Sequence, residues 1–499
     1  MSKSYSVMWD PVIPVSFLDG SSDEIGIRET FVRAHEIADL QCDSPLERYA
    51  LFRLLVAFAI DMIRPERAAD RKALLKKGHF DAAVMDDYIA ACEQDGPRFD
   101  LFDPKHPFMQ AAYDPVMDEK AVKPAAKLEV SLPSGNNHIF LDHRPETIPT
   151  MDPAEAFRAM ISLYVFCTAG AQGYPSGVNN TPPVYSRVIG RSLFETIVLN
   201  MVAAREHPTI ETGSVPWRSN ETVVPKQECV SMTLLEALTW QPRRITLMQD
   251  EDGRVRSIAL QQGKNFRGNE LWRDPHIAYR CTPKGEWSSV KPQAGRALWR
   301  DIGTLLSDSA HARFRPPLTV SQSGELLDSV SVPLIIQQIG LVTSQASYVS
   351  WTEDRLSIPI CLLEDDLLAS FIREDAEISE SAQRTLVQGV NANYSHDKKK
   401  SVDLAEQARS HFLGQMHDIL FSFSIPDVCR IRDEIPDDFR SEHIKRFSEL
   451  TEEALKNTLR EVVQASGSTA KDLQKQVETQ RAVISWFRKS IREKEEDNE

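Results

Sequence analysis

Cysteine is scarce in this chain of 499 residues, and its positions are irregular. There are seven cysteines, an odd number, and they lie far apart, at positions 42, 92, 167, 229, 281, 361 and 429. A disulfide framework needs paired cysteines, and a compact zinc site needs ligands spaced as Cys-x-x-Cys, so the pattern disfavours both. We expect reduced thiols in the core, no metal ion and no cofactor.

Long apolar segments are also missing. Although 41% of the residues are hydrophobic, no run approaches the ~18 to 20 apolar residues of a membrane span. Residues 1–14 lack the basic segment followed by an apolar one that marks a secretory signal. We therefore expect a cytoplasmic protein that does not contact a membrane.

Signatures of hydrolytic and nucleotide-dependent enzymes are absent as well. The chain has no HExxH, no GxSxG and no glycine-rich phosphate loop ending in Lys-Ser or Lys-Thr, and its 12 histidines are scattered. The sequence thus predicts a protein that is not an enzyme. A metal-dependent nuclease, which would need clustered carboxylates, stays open as an alternative.

Basic residues are outnumbered, since 58 Lys and Arg stand against 73 Asp and Glu and give a net charge of −15. This balance argues against a protein that binds nucleic acid over its whole surface. Residues 241–320 nevertheless hold 14 Lys and Arg against 8 Asp and Glu. A local basic surface is compatible with an acidic chain, because charges act within a Debye length of about 8 Å.

The length exceeds one ordinary core and predicts two or three domains. We predict the α+β class, with a large mixed N-terminal domain over residues 1–360 and a C-terminal antiparallel four-helix bundle over residues 361–499. The bundle is indicated by four long stretches of helical periodicity, separated by a polar connection, by Ile-Pro steps at 425–426 and 435–436, and by a Ser-Gly-Ser turn. The predicted helices cover residues 363–388, 401–424, 436–465 and 469–494.

Within the N-terminal domain, helical spacing and caps predict helices over residues 45–64, 81–94 and 191–205. A further helix opens with Asp152 as N-cap and Pro153 at the first helical position, and it should stop at Gly170. Strands are predicted over residues 244–248, 256–261 and 330–336. Pro333 cannot donate a backbone hydrogen bond, so it should make the last of these an edge strand or a shorter one.

Two loops are candidate functional segments because of their composition. Residues 340–348 place small polar residues, including Ser344 and Ala346, around Gln345 between two strand-like runs, which predicts a tight projecting loop. Residues 169–177 follow a helix and include Gly170 and Gly173, whose missing side chains would let the backbone approach a ligand closely. A plain polar loop tip and an ordinary helix cap are the simpler interpretations of the two patterns.

Four other groups of polar residues are candidates for contacts to nucleic acid. Lys264 follows a glycine in the most basic part of the chain, although a lone surface lysine is usually only solvated. Asn136 and Asn137 lie in a polar loop, for which the simpler interpretation is a turn that leads into a strand. In the predicted bundle, Lys398, Lys399 and Lys400 form a basic loop, and Arg481 and Arg488 fall roughly on one helical face.

Short motifs connect these features with one family. The pentapeptide HPFMQ at residues 106–110 and the tripeptide WQP at 240–242, together with the glutamine loop and the glycine-bearing loop, resemble the large subunit of the type I-E CRISPR surveillance complex (Cascade), the CasA family. The resemblance covers most of the chain. A cysteine cluster of some relatives is replaced here by Asp250-Glu251-Asp252-Gly253, which predicts a simple turn without zinc.

The resemblance implies roles for the candidate residues. Gly170, Gly173 and Lys264 would lie in the minor groove of the protospacer-adjacent motif (PAM), and Gln345, flanked by Ser344 and Ala346, would act as a wedge that opens the duplex. Asn136 and Asn137 would contact the 5′ handle of the CRISPR RNA. The five basic residues of the helical region would line the path of a DNA strand.

The partners implied are other Cascade subunits, CRISPR RNA, target double-stranded DNA and the helicase–nuclease that degrades the target. The subunit itself would be non-catalytic. The main alternative is a structural scaffold whose helices bind a protein partner and which does not read DNA.

Overall fold

A computed structural model describes residues 3–131, 150–168, 174, 177–207, 211–268, 272–306, 313–327, 333–344, 347–394, 398–432, 434–463 and 469–498. The chain divides into two compact units. The N-terminal unit comprises Met1–Ala294, Pro316–Ser329 and Pro333–Ser357, and the C-terminal unit comprises Gly295–Arg315, Val330–Val332 and Ile358–Glu499. The domain limits of 1–360 and 361–499 stay a prediction, because compactness alone does not show which parts fold independently.

Helices and strands alternate irregularly in the N-terminal unit, and the predicted mixture of both is confirmed. Its helices are α1 Ile27–Val32, α2 Pro45–Ile63, α3 Ala68–Lys77, α4 Ala82–Cys92, α5 Pro115–Asp118, α6 Pro153–Phe166, α7 Leu193–Asn200, α8 Leu234–Leu238, α9 Leu318–Ser321 and α10 Ser323–Leu326. The strands of the chain are β1 Ile13–Phe17, β2 Ser22–Ile25, β3 Ile37–Leu40, β4 Val122–Pro124, β5 Tyr185–Ile189, β6 Glu228–Cys229, β7 Arg243–Gln249, β8 Val255–Gln262, β9 Asn265–Phe266, β10 Tyr279–Cys281, β11 Trp287–Ser289, β12 Phe314–Arg315, β13 Leu334–Ser344 and β14 Ser347–Ile358.

The sheets are small. Within the N-terminal unit, three-stranded sheets have the orders β2-β1-β3, β4-β8-β7 and β14-β13-β5. In the same unit, β6 pairs with β9 in parallel, and β10 pairs with β11 in antiparallel orientation. The antiparallel pair β7 and β8 agrees with the two strands predicted over residues 244–248 and 256–261.

The core of the N-terminal unit surrounds α2, which is buried on nearly every face. A helix that is apolar all round belongs in an interior. Phe58 stacks on Trp217 with ring centroids 4.2 Å apart. Two charges of α2 are buried with partners: Arg53 donates to Asp274 at 2.7 Å, and Asp61 accepts from Arg218 at 2.6 Å. Pairing is what makes buried charges tolerable.

The caps predicted for α6 are confirmed. The Asp152 side chain accepts from the N–H of Glu155, whose carboxylate accepts from the N–H of Asp152. The helix ends at Phe166, four residues before the predicted stop at Gly170. Similarly, α7 ends at Asn200 rather than at residue 205, because the N–H groups of Ala204 and Arg205 donate to the carbonyls of Pro65 and Glu66 instead of continuing the helix.

The strand predicted over residues 330–336 is displaced toward the C-terminus. The strand β13 starts at Leu334, directly after Pro333, and it runs through Ser344. It pairs with β5 from Ile335 opposite Ile189 to Ile339 opposite Tyr185, and it lies in the middle of its sheet. The predicted loop over residues 340–348 was therefore too long, since Gly340–Ser344 belongs to β13 and the next strand, β14, begins at Ser347.

The C-terminal unit is helical over most of its described residues. Its helices are α11 Cys361–Glu364, α12 Asp366–Tyr394, α13 Lys398–Ile419, α14 Ile425–Arg430, α15 Phe439–Thr458 and α16 Ala470–Asn498, with π-helical turns at Leu420–Ser424 and Leu459–Val463. The long helix α12 packs against α13, α15 and α16; α15 also packs against α13 and α16.

Two details of the predicted helices were wrong. The lysines at 398–400 do not form a loop, because they open α13; lysine is a good helix former. The Ile-Pro step at 425–426 does not break the chain either. Pro426 lies in the first turn of α14, where a missing N–H costs little, and the π-turn before it joins α13 and α14 into one helical path.

A buried polar cluster, which we call the His443 cluster, joins three elements of this unit. His443 on α15 lies 2.9 Å from Asp375 on α12 through Nε2 and 2.8 Å from Asp427 on α14 through Nδ1. Ser424 donates to Asp375 from the π-turn. The aromatic rings of Phe423 and Phe439 stack on the imidazole.

Candidate nucleic-acid interface

The two signature motifs meet at one backbone oxygen. The carbonyl of Met109, in HPFMQ, accepts from the side-chain amide of Gln241, in WQP, at 2.8 Å, and from the hydroxyl of Tyr164 at 2.9 Å. Gln110 donates to the carbonyl of Leu101 at 2.9 Å and accepts from the N–H of Leu247 at 2.7 Å. The motifs thus form a buried junction, the Met109 junction, which fixes where β7 begins.

The loop that carries Lys264 is built directly on this junction. The N–H groups of Gly263 and Lys264 donate to the carbonyls of Pro242 and Gln241 at 3.0 and 2.9 Å. A Cβ atom at position 263 would lie 2.6 Å from the Gln241 oxygen, closer than real Cβ atoms come. Glycine is therefore required for the loop to approach the WQP segment.

The side chain of Lys264 lies over an aromatic ring. Its Nζ is 5.7 Å from the ring centroid of Trp240, and the Trp240 side chain is only 5% exposed. Phe266 meets the same indole edge to face, with centroids 6.5 Å apart. Phe266 is in turn fixed by the parallel pairing of β9 with β6. Among the residues that the structure describes, no carboxylate forms an ion pair with Lys264.

Such an arrangement leaves the ammonium group ready for a ligand. A cation over the face of an indole is attracted by the ring quadrupole, worth about 0.5 to 2 kcal/mol. The ring holds the Lys264 side chain in place but accepts no conventional hydrogen bond. Within the described part of the chain, the ammonium group of this half-buried lysine has no hydrogen-bond acceptor, and its three donors suit an external ligand.

Arg243 brings a second predicted loop to the same place. From the first position of β7, its guanidinium donates to the carbonyl of Thr168 at 2.8 Å, and it lies 5.1 Å from the ring centroid of Tyr174. Thr168 directly precedes the glycine-bearing loop and Tyr174 belongs to it, whereas Gly170 and Gly173 lie outside the described residues. The side chain of Arg243 thus contacts this region, while its backbone lies opposite Gln262, which leads into the Lys264 loop.

Sequence reasoning missed Arg243. The signal was present, since Arg243 directly follows WQP in the most basic part of the chain, but only the fold shows that it reaches residues 168 and 174. Strand pairing also places it opposite Gln262, next to Gly263.

The glutamine of the predicted wedge falls between two long strands. Ser344 is the exposed last residue of β13, and β14 begins at Ser347. Gln345 and Ala346 connect the two strands and lie outside the described residues, as do Asn136 and Asn137.

The basic residues of the helical unit differ in their surroundings. Lys398, Lys399 and Lys400 form the first turn of α13, which contains no acidic residue, and Lys399 is exposed. Arg481 on α16 is also exposed. Arg488 instead forms a two-pronged ion pair with Glu452 of α15, with both contacts at 2.7 Å. Hydrogen bonds from Arg488, and then from Lys456, lower the pKa of Glu452 to about 2.

Neither a metal-binding cluster nor a membrane-spanning helix occurs among the described residues. The described part of the chain holds no group of three His, Cys, Asp or Glu side chains arranged to bind a metal ion. Of the helices described, none combines the length and the apolar character needed to cross a membrane.

Comparison with known proteins agrees with the resemblance seen in the motifs. A CRISPR-associated protein CasA/Cse1 of Thermus thermophilus is 28% identical over 420 residues, which cover 82% of this chain and 80% of that protein. A crystal structure of a CRISPR-associated protein from Thermus thermophilus superposes with a TM-score of 0.76 at 21% identity and covers 98% of this chain and all of that one.

Two further structures share the fold. Cse1 from Acidimicrobium ferrooxidans gives a TM-score of 0.71 at 22% identity and covers 98% of this chain and 99% of that one. A chain of a CRISPR RNA-guided surveillance complex gives 0.75 at 18% identity, with 96% and 99% covered. The sequence model of the family of CRISPR-associated protein Cse1 matches residues 8–485. The chain therefore belongs to the CRISPR-associated protein Cse1 family.

Proposed function

We propose that this protein is the non-catalytic large subunit of a type I-E CRISPR surveillance complex, in which it reads the PAM of target DNA and starts to open the duplex. Family membership and the fold shared with a chain of an RNA-guided surveillance complex support the assignment to such a complex. The partners would be the other subunits, CRISPR RNA, target duplex DNA and a helicase–nuclease. Asn136 and Asn137 would contact the RNA handle.

The observation that carries the proposal is the position of Lys264 over Trp240, near Arg243, which contacts Thr168 and Tyr174 of the glycine-bearing region. The minor groove presents mainly acceptors, the N3 atom of adenine and the O2 atoms of thymine and cytosine. Lysine and backbone N–H groups are donors that suit these acceptors. Because the donor and acceptor code of this groove is degenerate, a reader built in this way would accept several related motifs.

The hairpin of β13 and β14 is the proposed wedge. A two-residue connection between long paired strands is a stiff support for Gln345. Inserting a side chain between base steps costs a few kcal/mol of stacking, which contacts to the opened duplex offset. Ser344 and Ala346 would then border the groove on either side of the glutamine.

We further propose that the helical unit is an antiparallel four-helix bundle of α12, α13, α15 and α16 that guides a DNA strand. The lysines at 398–400 add positive charge to the positive end of the α13 dipole, which favours phosphate. Arg481 is exposed and suits the same role. Arg488 would have to exchange Glu452 for a phosphate, so it should contribute less.

The test uses guide-loaded complex with the substitutions Lys264→Ala or Gln345→Ala, and with Lys284→Ala as control. Lys284 is an exposed lysine of the same basic region. We expect Lys264→Ala to weaken binding to targets with a functional flanking motif, and Gln345→Ala to slow strand opening, while Lys284→Ala changes neither. Target binding and the reactivity of unpaired thymines would be measured with and without randomised flanks.

The outcome separates the two functions considered. If both variants assemble but lose flank-dependent binding or opening, the PAM-reading role holds. If both bind and open DNA like the wild type, the subunit is a scaffold, and the residues that read the PAM belong to another chain. Cleavage of DNA by the purified subunit with Mg²⁺ would contradict the non-catalytic assignment.

A further inference from the structure

Two cysteines of the C-terminal unit lie in contact. The Sγ atoms of Cys361 and Cys429 are 3.3 Å apart, and one thiol donates a hydrogen bond to the other. Cys361 is the first residue of α11, and Cys429 lies on α14. Both are half-buried, so small oxidants and alkylating reagents can reach them. By contrast, Cys92 and Cys167 are buried, as predicted for core thiols.

The surroundings make the pair chemically unequal. The contact with Cys429 lowers the pKa of Cys361, against the opposing effect of burial, and Arg432 acts in the same direction. The pKa of Cys429 rises, first because of its hydrogen bond with Cys361 and then because of burial. The pKa of Cys361 is thus the lower of the two, and the thiolate is the nucleophilic form.

We propose that Cys361 and Cys429 form a redox modification site, a dithiol that a hydroperoxide converts to a reversible intramolecular disulfide. The two sulfur atoms need to approach from 3.3 Å to the S–S bond length of about 2.0 Å. This is a small movement for two side chains on neighbouring short helices.

The reaction balances with hydrogen peroxide as the two-electron oxidant. The Cys361 thiolate attacks one peroxide oxygen, the O–O bond breaks, and Cys361 becomes a sulfenic acid as hydroxide leaves and takes up a proton. The sulfur of Cys429 then attacks the sulfenic sulfur. The S–O bond breaks, the S–S bond forms, and the departing oxygen leaves as water with the proton of Cys429. In total, two thiols and one peroxide give one disulfide and two waters.

The position of the pair suggests what the bond would do. Cys361 lies just before α12, and Cys429 lies just after α13 and its π-turn, so the bond would join the two open ends of this packed helix pair. The loop closed by the disulfide spans the 68 positions from Cys361 to Cys429. Cross-linking such a loop restricts the unfolded chain and stabilises the native state.

The test treats the reduced full chain with hydrogen peroxide, alkylates the remaining thiols under denaturing conditions and identifies linked peptides by mass spectrometry. We expect a peptide pair joined through Cys361 and Cys429, lighter by two hydrogen atoms, that disappears on reduction with dithiothreitol. The thermal unfolding temperature of the oxidised chain should rise by several degrees and return on reduction.

Three variants complete the design. Cys361→Ser and Cys429→Ser should abolish the linked peptide, and Cys429→Ser should accumulate a sulfenic acid at Cys361 that a 1,3-dione probe traps. Cys281→Ser, which changes another half-buried cysteine, should leave the linked peptide unchanged. The proposal is wrong if hydrogen peroxide oxidises the other cysteines of the wild-type chain but yields no peptide pair joined through Cys361 and Cys429. This outcome does not depend on the stability of the variants.

Discussion

At the scale of single residues, the position of Lys264 depends on its neighbours more than on its own charge. The sequence indicated the lysine through its glycine neighbour and the basic region around it. It did not indicate that Trp240, read only as part of a family motif, would lie beneath the ammonium group. Contacts between residues 24 positions apart in sequence arise from strand pairing, which composition alone does not specify.

Replacing Trp240 tests this support. We expect Trp240→Leu to weaken PAM-dependent DNA binding about three- to tenfold, since loss of a cation–π contact costs roughly 1 kcal/mol. Trp240→Phe keeps an aromatic face and should lie close to wild type. Equilibrium binding of the assembled complex to matched targets would measure both; equal effects of the two variants would mean that packing, and not the ring face, supports Lys264.

Gly263 gives a prediction about stability. We expect Gly263→Ala to destabilise the protein by about 1 to 3 kcal/mol, because its Cβ would meet the Gln241 carbonyl at 2.6 Å. The control is Gly414→Ala in α13, where nothing lies within 4 Å of the new Cβ. There alanine should be neutral or stabilise by up to about 1 kcal/mol. Denaturant unfolding measures both, and a Gly263→Ala chain as stable as wild type would contradict the close approach.

At the scale of elements, the sequence predicted which segments are helical better than where they end. The starts of α2, α4 and α6 follow from caps that lie within a few residues, so the local sequence was adequate to predict them. The start of β13 and the short α7 depend on partners far along the chain, on β5 and on residues 65–66, and the helix through Pro426 depends on a π-turn. Local propensity cannot supply those partners.

The His443 cluster predicts a dependence on pH. Both imidazole nitrogens of His443 lie within hydrogen-bonding distance of carboxylates, which favours the protonated ring. Burial opposes the charge, but Asp375 and Asp427 outweigh it and raise the pKa of His443 above its ordinary value of 6.5. Burial also raises the pKa of Asp375. Because the pKa of His443 is higher in the folded state, its contribution to the free energy of unfolding is complete below the pKa that it has in the unfolded chain. That contribution is lost as the pH rises through the pKa of the folded state.

We therefore expect the thermal unfolding temperature to fall as pH increases above about 6.5, the unperturbed pKa of histidine. His443→Leu should reduce this slope, and it should cost about 3 to 5 kcal/mol because buried carboxylates lose their partner. Scanning calorimetry from mildly acidic to mildly alkaline pH measures both effects. His411→Leu is the control, since His411 lies nearer the surface beside Glu461; equal slopes in both variants would contradict the assignment to His443.

At the scale of the whole molecule, charge is distributed unevenly. The protein carries a net charge of −15, whereas its candidate contacts with DNA include several basic residues. If basic, RNA-bound subunits supply the docking surface, association should be steered by electrostatic attraction. We expect the association rate with the remaining complex to fall about tenfold or more as salt rises from low to physiological levels. Stopped-flow or surface binding measures it, and a rate that does not depend on salt would exclude this form of docking.

The candidate interface could be predicted in outline but not as an assembled surface. Lys264, the glycine-bearing loop and the glutamine were each found from short patterns and the family resemblance. The connection of the Lys264 loop with the glycine-bearing loop through Arg243 could not be predicted, because it depends on how β7 and β8 pair beside the end of α6. The ion pair between Arg488 and Glu452 could not be predicted from the sequence either, since those residues lie on different helices.

The Met109 junction has a consequence for how such proteins diverge. The motifs that identify the family form hydrogen bonds inside the scaffold. The residues proposed to contact nucleic acid lie on the loops around it. Trp240 is the exception, because it belongs to WQP and also lies beneath the ammonium group of Lys264. If the loops read DNA as proposed, two members could keep HPFMQ and WQP unchanged and still differ in the DNA that they accept, and exchanging only the loops should transfer target preference between them.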